Sequence, residues 1–242
     1  MTSAAQRARP LIGVLGGMGP LATVDFLHKL IEETPATRDQ EHIPTVTWNV
    51  PQIPDRQDAL AGTGPSPLSA MLDGIARLNG AGATRIVITC NTAHHWFAAL
   101  AAASAAPLIH IVDATLAQIA VRPIDAPPLG LIASRGLLAS GLYQERFATA
   151  GIRVIVNTDE ELDTLFTPGC YAVKRNALGE GGRLLDAAAQ RLVDRGATQL
   201  VLACTEVPIA LAHIGSPYRN IAIDTNRALA RACVAYWRHQ QA

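Results

Sequence analysis

The sequence carries no excess charge of either sign, since 20 Lys and Arg stand against 20 Asp and Glu in 242 residues. That balance argues against nucleic acid or an anionic membrane as the main partner. Charge is also sparse, at 17% of residues against 49% hydrophobic, which excludes a disordered chain and a coiled coil. The four cysteines, Cys90, Cys170, Cys204 and Cys233, include no CxxC pair, so neither a zinc ribbon nor a dithiol redox motif is present. Free thiols in a cytoplasmic protein fit that pattern. The seven histidines lack metal-ligand spacing, and no metal is implied. Long apolar runs are missing as well. Arg7 and Arg9 followed by Leu11 to Leu15 imitate the start of a signal peptide, but Gly16, Gly17, Gly19 and Pro20 interrupt it. The Ala-rich stretch Ala98 to Val112 is shorter than the ~20 residues of a membrane span and contains Ser104, Pro107 and His110.

What the chain does have is alternation. Short apolar runs (Leu11 to Leu15, Thr45 to Val50, Arg85 to Thr89, Leu108 to Val112, Leu129 to Ala133, Ile152 to Val156, Leu200 to Ala203, Ile221 to Ile223) read as buried parallel strands. Between them, segments such as Pro67 to Asn79 and Gly182 to Arg195 carry apolar residues at helical spacing and end near glycines. The class is therefore α/β.

The pattern also repeats. Ile12-Gly13-Val14-Leu15 with Gly19 matches Leu129-Gly130-Leu131-Ile132 with Gly136, the outer glycines standing six residues apart in both. Gly82-Ala83-Thr84 precedes Cys90 as Gly196-Ala197-Thr198 precedes Cys204, eight residues from glycine to cysteine each time. Asp113 and Asp224 follow their cysteines by 23 and 20 residues, each after a further apolar run. Two similar doubly wound α/β domains are expected, the first over residues 1–114 with Cys90 and the second over residues 115–224 with Cys204. Ligands of open α/β sheets bind beyond the carboxyl ends of the strands. If a pseudo-twofold axis relates the domains, both cysteines meet in one cleft. Cys170 and Cys233 follow no strand and read as small buried apolar residues.

Two equivalent thiols on opposite sides of a small substrate suit stereoinversion at carbon, one removing a proton from one face and the other delivering a proton to the opposite face. A thiol at its ordinary pKa of ~8.5 is only slightly ionised at neutral pH. The strand-to-helix turns are expected to favour the thiolate through backbone N–H groups.

Ile88-Thr89-Cys90-Asn91-Thr92-Ala93-His94 and Leu202-Ala203-Cys204-Thr205-Glu206-Val207-Pro208 resemble the two cysteine motifs of the cofactor-independent aspartate/glutamate racemases. Gly13 to Leu21, Pro35 to His42 and Pro51-Gln52-Ile53-Pro54-Asp55-Arg56 resemble the aspartate racemase branch, and the likeness runs from about Leu11 to Cys233. Ser134 departs from it, standing where threonine is usual. The resemblance implies Cys90 and Cys204 as the acid/base pair, and Met18, Gln52, Arg56, Asn91, Thr92, Ser134, Lys174 and Thr205 as substrate-binding residues. Arg56 and Lys174 would handle substrate charge. It further implies a small-molecule amino acid substrate, neither pyridoxal phosphate nor metal, a homodimer, and a C-terminal helix over about Thr225 to Gln241 returning to the first domain, which then comprises residues 1–114 plus 225–242. Lys174 has a small independent pointer, because Lys29 and Lys174 are the only lysines among the 20 basic residues.

His94 and His95 are poorly spaced for a Cys–His nucleophile, and a structural role on the helix after Cys90 is expected for His94. Gly17-Met18-Gly19-Pro20-Leu21-Ala22 fits a loose dinucleotide fingerprint, but the second strand ends at Asn49-Val50-Pro51 without the acidic residue that holds a ribose. The backbone N–H groups of Gly17 to Gly19 are expected to face a substrate carboxylate instead. The expected reaction is interconversion of L- and D-aspartate or a close acidic amino acid. A broader racemase, a relative acting on hydantoins or maleate, and a catalytically silent amino acid binding protein are the alternatives.

Overall fold

The computed structural model describes residues 10–119 and 126–241, so Arg7 and Arg9 lie outside the described residues. The chain runs β1 (Ile12–Gly16), α1 (Pro20–Glu33), β2 (Thr45–Asn49), α2 (Arg56–Ala61), α3 (Leu68–Gly80), β3 (Arg85–Ile88), α4 (Phe97–Ala103) and α5 (Ile111–Leu116). It continues through β4 (Leu129–Ala133), α6 (Arg135–Ala139), α7 (Leu142–Thr149), β5 (Val154–Val156), α8 (Asp159–Glu161), α9 (Thr167–Lys174), α10 (Leu178–Asp194), β6 (Gln199–Ala203), α11 (Val207–His213), β7 (Ala222–Asp224) and α12 (Thr225–Gln241). All strand pairs are parallel, in the orders β2-β1-β3 and β5-β4-β6-β7. Among the described residues no helix is long and apolar enough to cross a membrane.

The repeat is visible in the packing. Gly13 pairs with Ile86 and Gly130 with Leu200. A Cβ on Gly13 would meet Ala83 at 2.9 Å and Ile86 at 3.1 Å, and one on Gly130 would meet Leu200 at 2.6 Å, Leu192 at 3.0 Å and Ala197 at 3.1 Å. Glycine recurs in both halves because the helix before the third strand lies against the first strand with no room for a side chain. Gly82 and Gly196 both adopt positive φ, +84° and +93°, just ahead of β3 and β6, a conformation that favours glycine.

Side chains alternate between two environments, as the pleat requires. Ile12, Val14, Val87, Leu129, Leu131, Val201 and Ala203 face one core shared by both halves with α1, α5, α7 and α12. Leu15, Ile86 and Ile88 face a second core under α3, and Ile132, Leu200 and Leu202 a third under α9 and α10. The C-terminal helix does return to the first half: Asn226 Nδ2 donates to the Ala22 carbonyl at 3.0 Å, and Arg227 and Arg231 pair with Glu33 at 2.6 and 2.8 Å. Lys29, buried, lies 2.5 Å from both Asp25 and Asp224, which ties α1 to β7.

One strand expected in the first half is absent. Over Leu108 to Val112 the structure keeps a single bridge, Ile86 to Leu108, where the second half pairs Leu200 with Ala222 over a full strand. The chain then turns into α5, because the His110 ring accepts the Val112 amide at 3.1 Å and caps the helix. The counterpart of Asp224, whose Oδ1 accepts the Asn226 and Arg227 amides, is thus His110, and Asp113 sits on the first turn of α5.

Candidate active site

A cavity of about 570 Å³ opens where four strands end. Met18, Cys90, Ser134 and Cys204 follow the carboxyl ends of β1, β3, β4 and β6, and all line it. Arg56, Asn91, Thr92, Lys174 and Thr205 line it as well. Gln52 does not: it is exposed on the loop after β2, and the glutamine in the cavity wall is Gln57. The difference follows from Asp55, whose Oδ1 accepts the Gln57 amide at 2.6 Å and starts α2, so the chain turns inward only after Gln52.

The glycine loop holds the floor tightly. Gly17 has φ +97°, and a Cβ there would meet the Val50 backbone at 2.3 Å. Its N–H is not free for a ligand as expected, because Thr23 Oγ1 accepts it at 3.0 Å. Thr23 Oγ1 also lies 3.1 Å from Thr89 Oγ1, which fastens the turn carrying Cys90 to that loop.

His94 works on the same turn. Its Nδ1 lies 2.9 Å from the Cys90 carbonyl and its Nε2 accepts the Ile111 amide at 3.2 Å, so the proton is on Nδ1 and both ring nitrogens are used. Burial first, then the neighbouring His110, hold His94 down to about 3, and burial holds His110 down to about 4. A neutral, doubly bonded His94 positions backbone and is no base for a nucleophile.

The two halves are knitted across the cavity by polar side chains. Gln57 Nε2 donates to Ser134 Oγ at 2.9 Å and to Thr92 Oγ1 at 3.2 Å, while its Oε1 accepts the Gly136 amide at 2.9 Å. Asn91 donates through Nδ2 to Thr225 Oγ1 at 3.0 Å, at the start of the C-terminal helix, and accepts the Tyr143 hydroxyl of the second half at 2.6 Å, so one donor and one acceptor of its amide are already used within the protein.

The thiol surroundings differ. Burial pushes Cys90 above its ordinary value, although Arg56, the Ala93 amide and Lys174 oppose it. Cys204 is pushed well above by its contact with Cys170, by burial and by Glu206. The expected thiolate preference of the turns is therefore outweighed in the free protein, where burial removes water from the anion. The Cys204 thiol donates to Glu206 Oε2 at 3.2 Å, and Thr205 Oγ1 donates to the same oxygen at 3.3 Å. Cys170 lines the cavity with its sulfur 3.6 Å from that of Cys204, so its reading as a residue of the core alone is corrected. It lies one helical turn before Lys174 on α9, a spacing that put both on one face and was legible in advance. Cys233 does lie wholly in the shared core, where burial pushes its thiol up to about 12.

Lys174 is 3.6 Å from Asp55. Burial alone would lower it, but Glu206, Asp55 and Cys204 outweigh burial and keep it above its ordinary value. Arg56, 7% exposed, donates from Nη1 to the carbonyls of Pro54 at 2.7 Å and Ile53 at 3.1 Å and has no carboxylate partner among the described residues. Among the described residues no group of three or more His, Cys, Asp or Glu could hold a metal ion.

Fold and cavity define an α/β enzyme scaffold with two parallel sheets and a thiol at the end of an equivalent strand in each half. Residues 15–233 match the Asp/Glu/Hydantoin racemase family, and the chain belongs to it. The chain is similar to the broad specificity amino-acid racemase RacX of Bacillus subtilis, 25% identical over 93% of this chain and 97% of that one. It is similar in structure to the Picrophilus torridus aspartate racemase, with 29% identity, 94% of each chain covered and a TM-score of 0.81. A glutamate racemase of Francisella tularensis, solved with D-glutamate, shares the fold at 15% identity, covering 96% of this chain and 82% of that one with a TM-score of 0.68. Family membership places the chain among racemases, a class of isomerases.

Proposed function

We propose that the protein interconverts L- and D-aspartate by two-base proton transfer between Cys90 and Cys204, without a cofactor. The observation that carries this reading is the placement of both thiols on one cavity, each at the carboxyl end of an equivalent strand. Glu206 accepts the Cys204 proton and leaves a thiolate. That thiolate removes the α-proton from one face of the substrate, and the Cys90 thiol delivers its own proton to the opposite face. The reverse reaction starts at Cys90, whose thiolate is favoured by Arg56 and Lys174. The substrate ammonium adds a further cation beside the thiols. Ser134, Thr92 and Gln57 offer a polar cradle for the amino acid head.

Acidic specificity rests on Arg56, whose planar fork suits a carboxylate. A second reading, a broad-specificity racemase, draws on the pairing of Lys174 with Asp55, on Asp58, Asp163 and Glu206 in the same wall, and on the likeness to the Bacillus subtilis enzyme. The test is to incubate the protein with single enantiomers of aspartate, glutamate and alanine in D₂O, following α-proton exchange by NMR and configuration by chiral separation. Exchange with inversion of aspartate well above that of alanine supports the reading. Equal rates favour the broad enzyme, and folded protein that exchanges none of them overturns racemisation of these substrates.

A further inference from the structure

We infer that Cys170 is a resolving thiol for Cys204, and that a hydroperoxide joins the two in a disulfide that closes the site reversibly. The two sulfurs lie 3.6 Å apart, and both residues line the cavity, so a peroxide that enters reaches them together. A disulfide bond is ~2.05 Å long, so the sulfurs must approach by roughly 1.5 Å. Side-chain rotation of Cys170 on its short helix Thr167–Lys174 and of Cys204 on the turn after β6 is the motion required. Cys233 has no such access, being sealed in the shared core.

The steps balance. The Cys204 sulfur attacks one oxygen of hydrogen peroxide, the O–O bond breaks, and the thiol proton, accepted by Glu206, leaves with the second oxygen as water. Cys204 is then a sulfenic acid. The Cys170 sulfur attacks the Cys204 sulfur, the S–O bond breaks, and the hydroxyl leaves as water with the Cys170 proton. Two thiols are oxidised by two electrons and one peroxide is reduced to two waters. Without a thiol in contact, a sulfenic acid goes on to sulfinic acid, which ordinary thiols do not reverse. Cys170 therefore turns an irreversible injury of Cys204 into a reversible one.

The loss of activity rests on Cys204 being an acid/base residue, whereas the disulfide itself does not. The experiment treats the whole reduced protein with hydrogen peroxide near equimolar amount, followed by intact mass, peptide mapping without reductant, and racemase assay before and after dithiothreitol. The expected result is loss of two hydrogens, a cross-linked pair of peptides bearing Cys170 and Cys204, and activity that falls at least tenfold and returns with dithiothreitol. Under a several-fold excess of hydrogen peroxide, from which the unaltered protein should still recover, Cys170→Ser, compared with its own reduced form, should instead gain two oxygens at Cys204 and stay inactive after dithiothreitol. A Cys204 sulfinic acid beside a free Cys170 in the unaltered protein overturns the inference, as does a cross-link from Cys204 to Cys90. If the Cys170–Cys204 link forms in a protein that racemises nothing, the disulfide stands and the proposed function falls.

Discussion

Cys90 and Cys204 end equivalent strands in two halves that repeat down to their glycines, yet the thiols live in different chemistry. Cys90 is held from behind by His94 and faces the cations Arg56 and Lys174. Cys204 touches a carboxylate at 3.2 Å and a second thiol at 3.6 Å. Duplication reproduces the backbone turn, because strand register and glycine contacts repeat. It does not reproduce the neighbours, which come from helices that differ between the halves and, for Glu206, from a turn position that is Thr92 in the first half. The halves are alike in packing and unlike in how each thiol gains or loses its proton.

The largest effect expected is from removing either thiol. Cys90→Ala and Cys204→Ala should each lower racemisation by about 10³-fold or more in both directions, since every turnover needs one base and one acid. Chiral assay of the products checks this, and near-normal activity in either variant removes that cysteine from the reaction. Arg56→Ala comes next. Loss of a charge-assisted fork in a closed cavity is worth ~2 to 4 kcal/mol, or about 30- to 1000-fold in kcat/KM for aspartate. Alanine should suffer far less, and Lys174→Ala should cost less than Arg56→Ala because Asp55 already engages Lys174. Equal losses on both substrates would assign Arg56 to the shared α-carboxylate.

Glu206→Gln sharpens the asymmetry. It should cost about 10- to 100-fold in kcat/KM, the worth of a hydrogen bond to a charged group. The loss must be the same from either enantiomer, because the two have equal free energy in water. The asymmetry shows in isotope exchange, where the enantiomer presenting its α-proton to Cys90 should keep exchanging longer than the other. Equal slowing of both exchanges would count against Glu206 as the acceptor for Cys204.

Acid stability probes the scaffold behind Cys90. His94 and His110 are held at about 3 and about 4, below the ordinary 6.5, so the unfolded chain binds protons that the folded protein refuses. Stability should fall as pH drops through ~6.5, by up to ~1.4 kcal/mol per pH unit for each group, until the folded histidines titrate. Urea unfolding between pH 7 and 5 should show a shallower slope in His94→Gln than in the unaltered protein. The smallest effects are expected where the halves agree. Gly13→Ala and Gly130→Ala should each cost ~1 to 3 kcal/mol of stability, since each new methyl meets side chains at under 3 Å. A neutral result at either glycine would break the structural equivalence there.

Much of this was legible in the one-dimensional pattern. Strands β1, β3, β4 and β6, their glycines and the two cysteine turns follow from apolar runs and repeated spacing, which record local backbone demands. The expected strand at Leu108 to Val112 failed because an apolar run does not say whether its backbone pairs with a neighbour or turns under a histidine cap. Gln52 and Gln57 are only five residues apart, and the cap at Asp55, which leaves Gln52 on the loop and starts α2 under Gln57, decided which of them enters the cavity. Local pattern along the chain is enough for the α/β class, the duplication, and a thiol beyond one strand of each half. Packing in three dimensions is what makes Cys170 and Glu206 meet Cys204, Asp55 meet Lys174 and Gln57 join Thr92 to Ser134. Those contacts bring together side chains from different elements, many of them distant in the chain, and the angles at which helices pack on sheets set them, which no local spacing encodes.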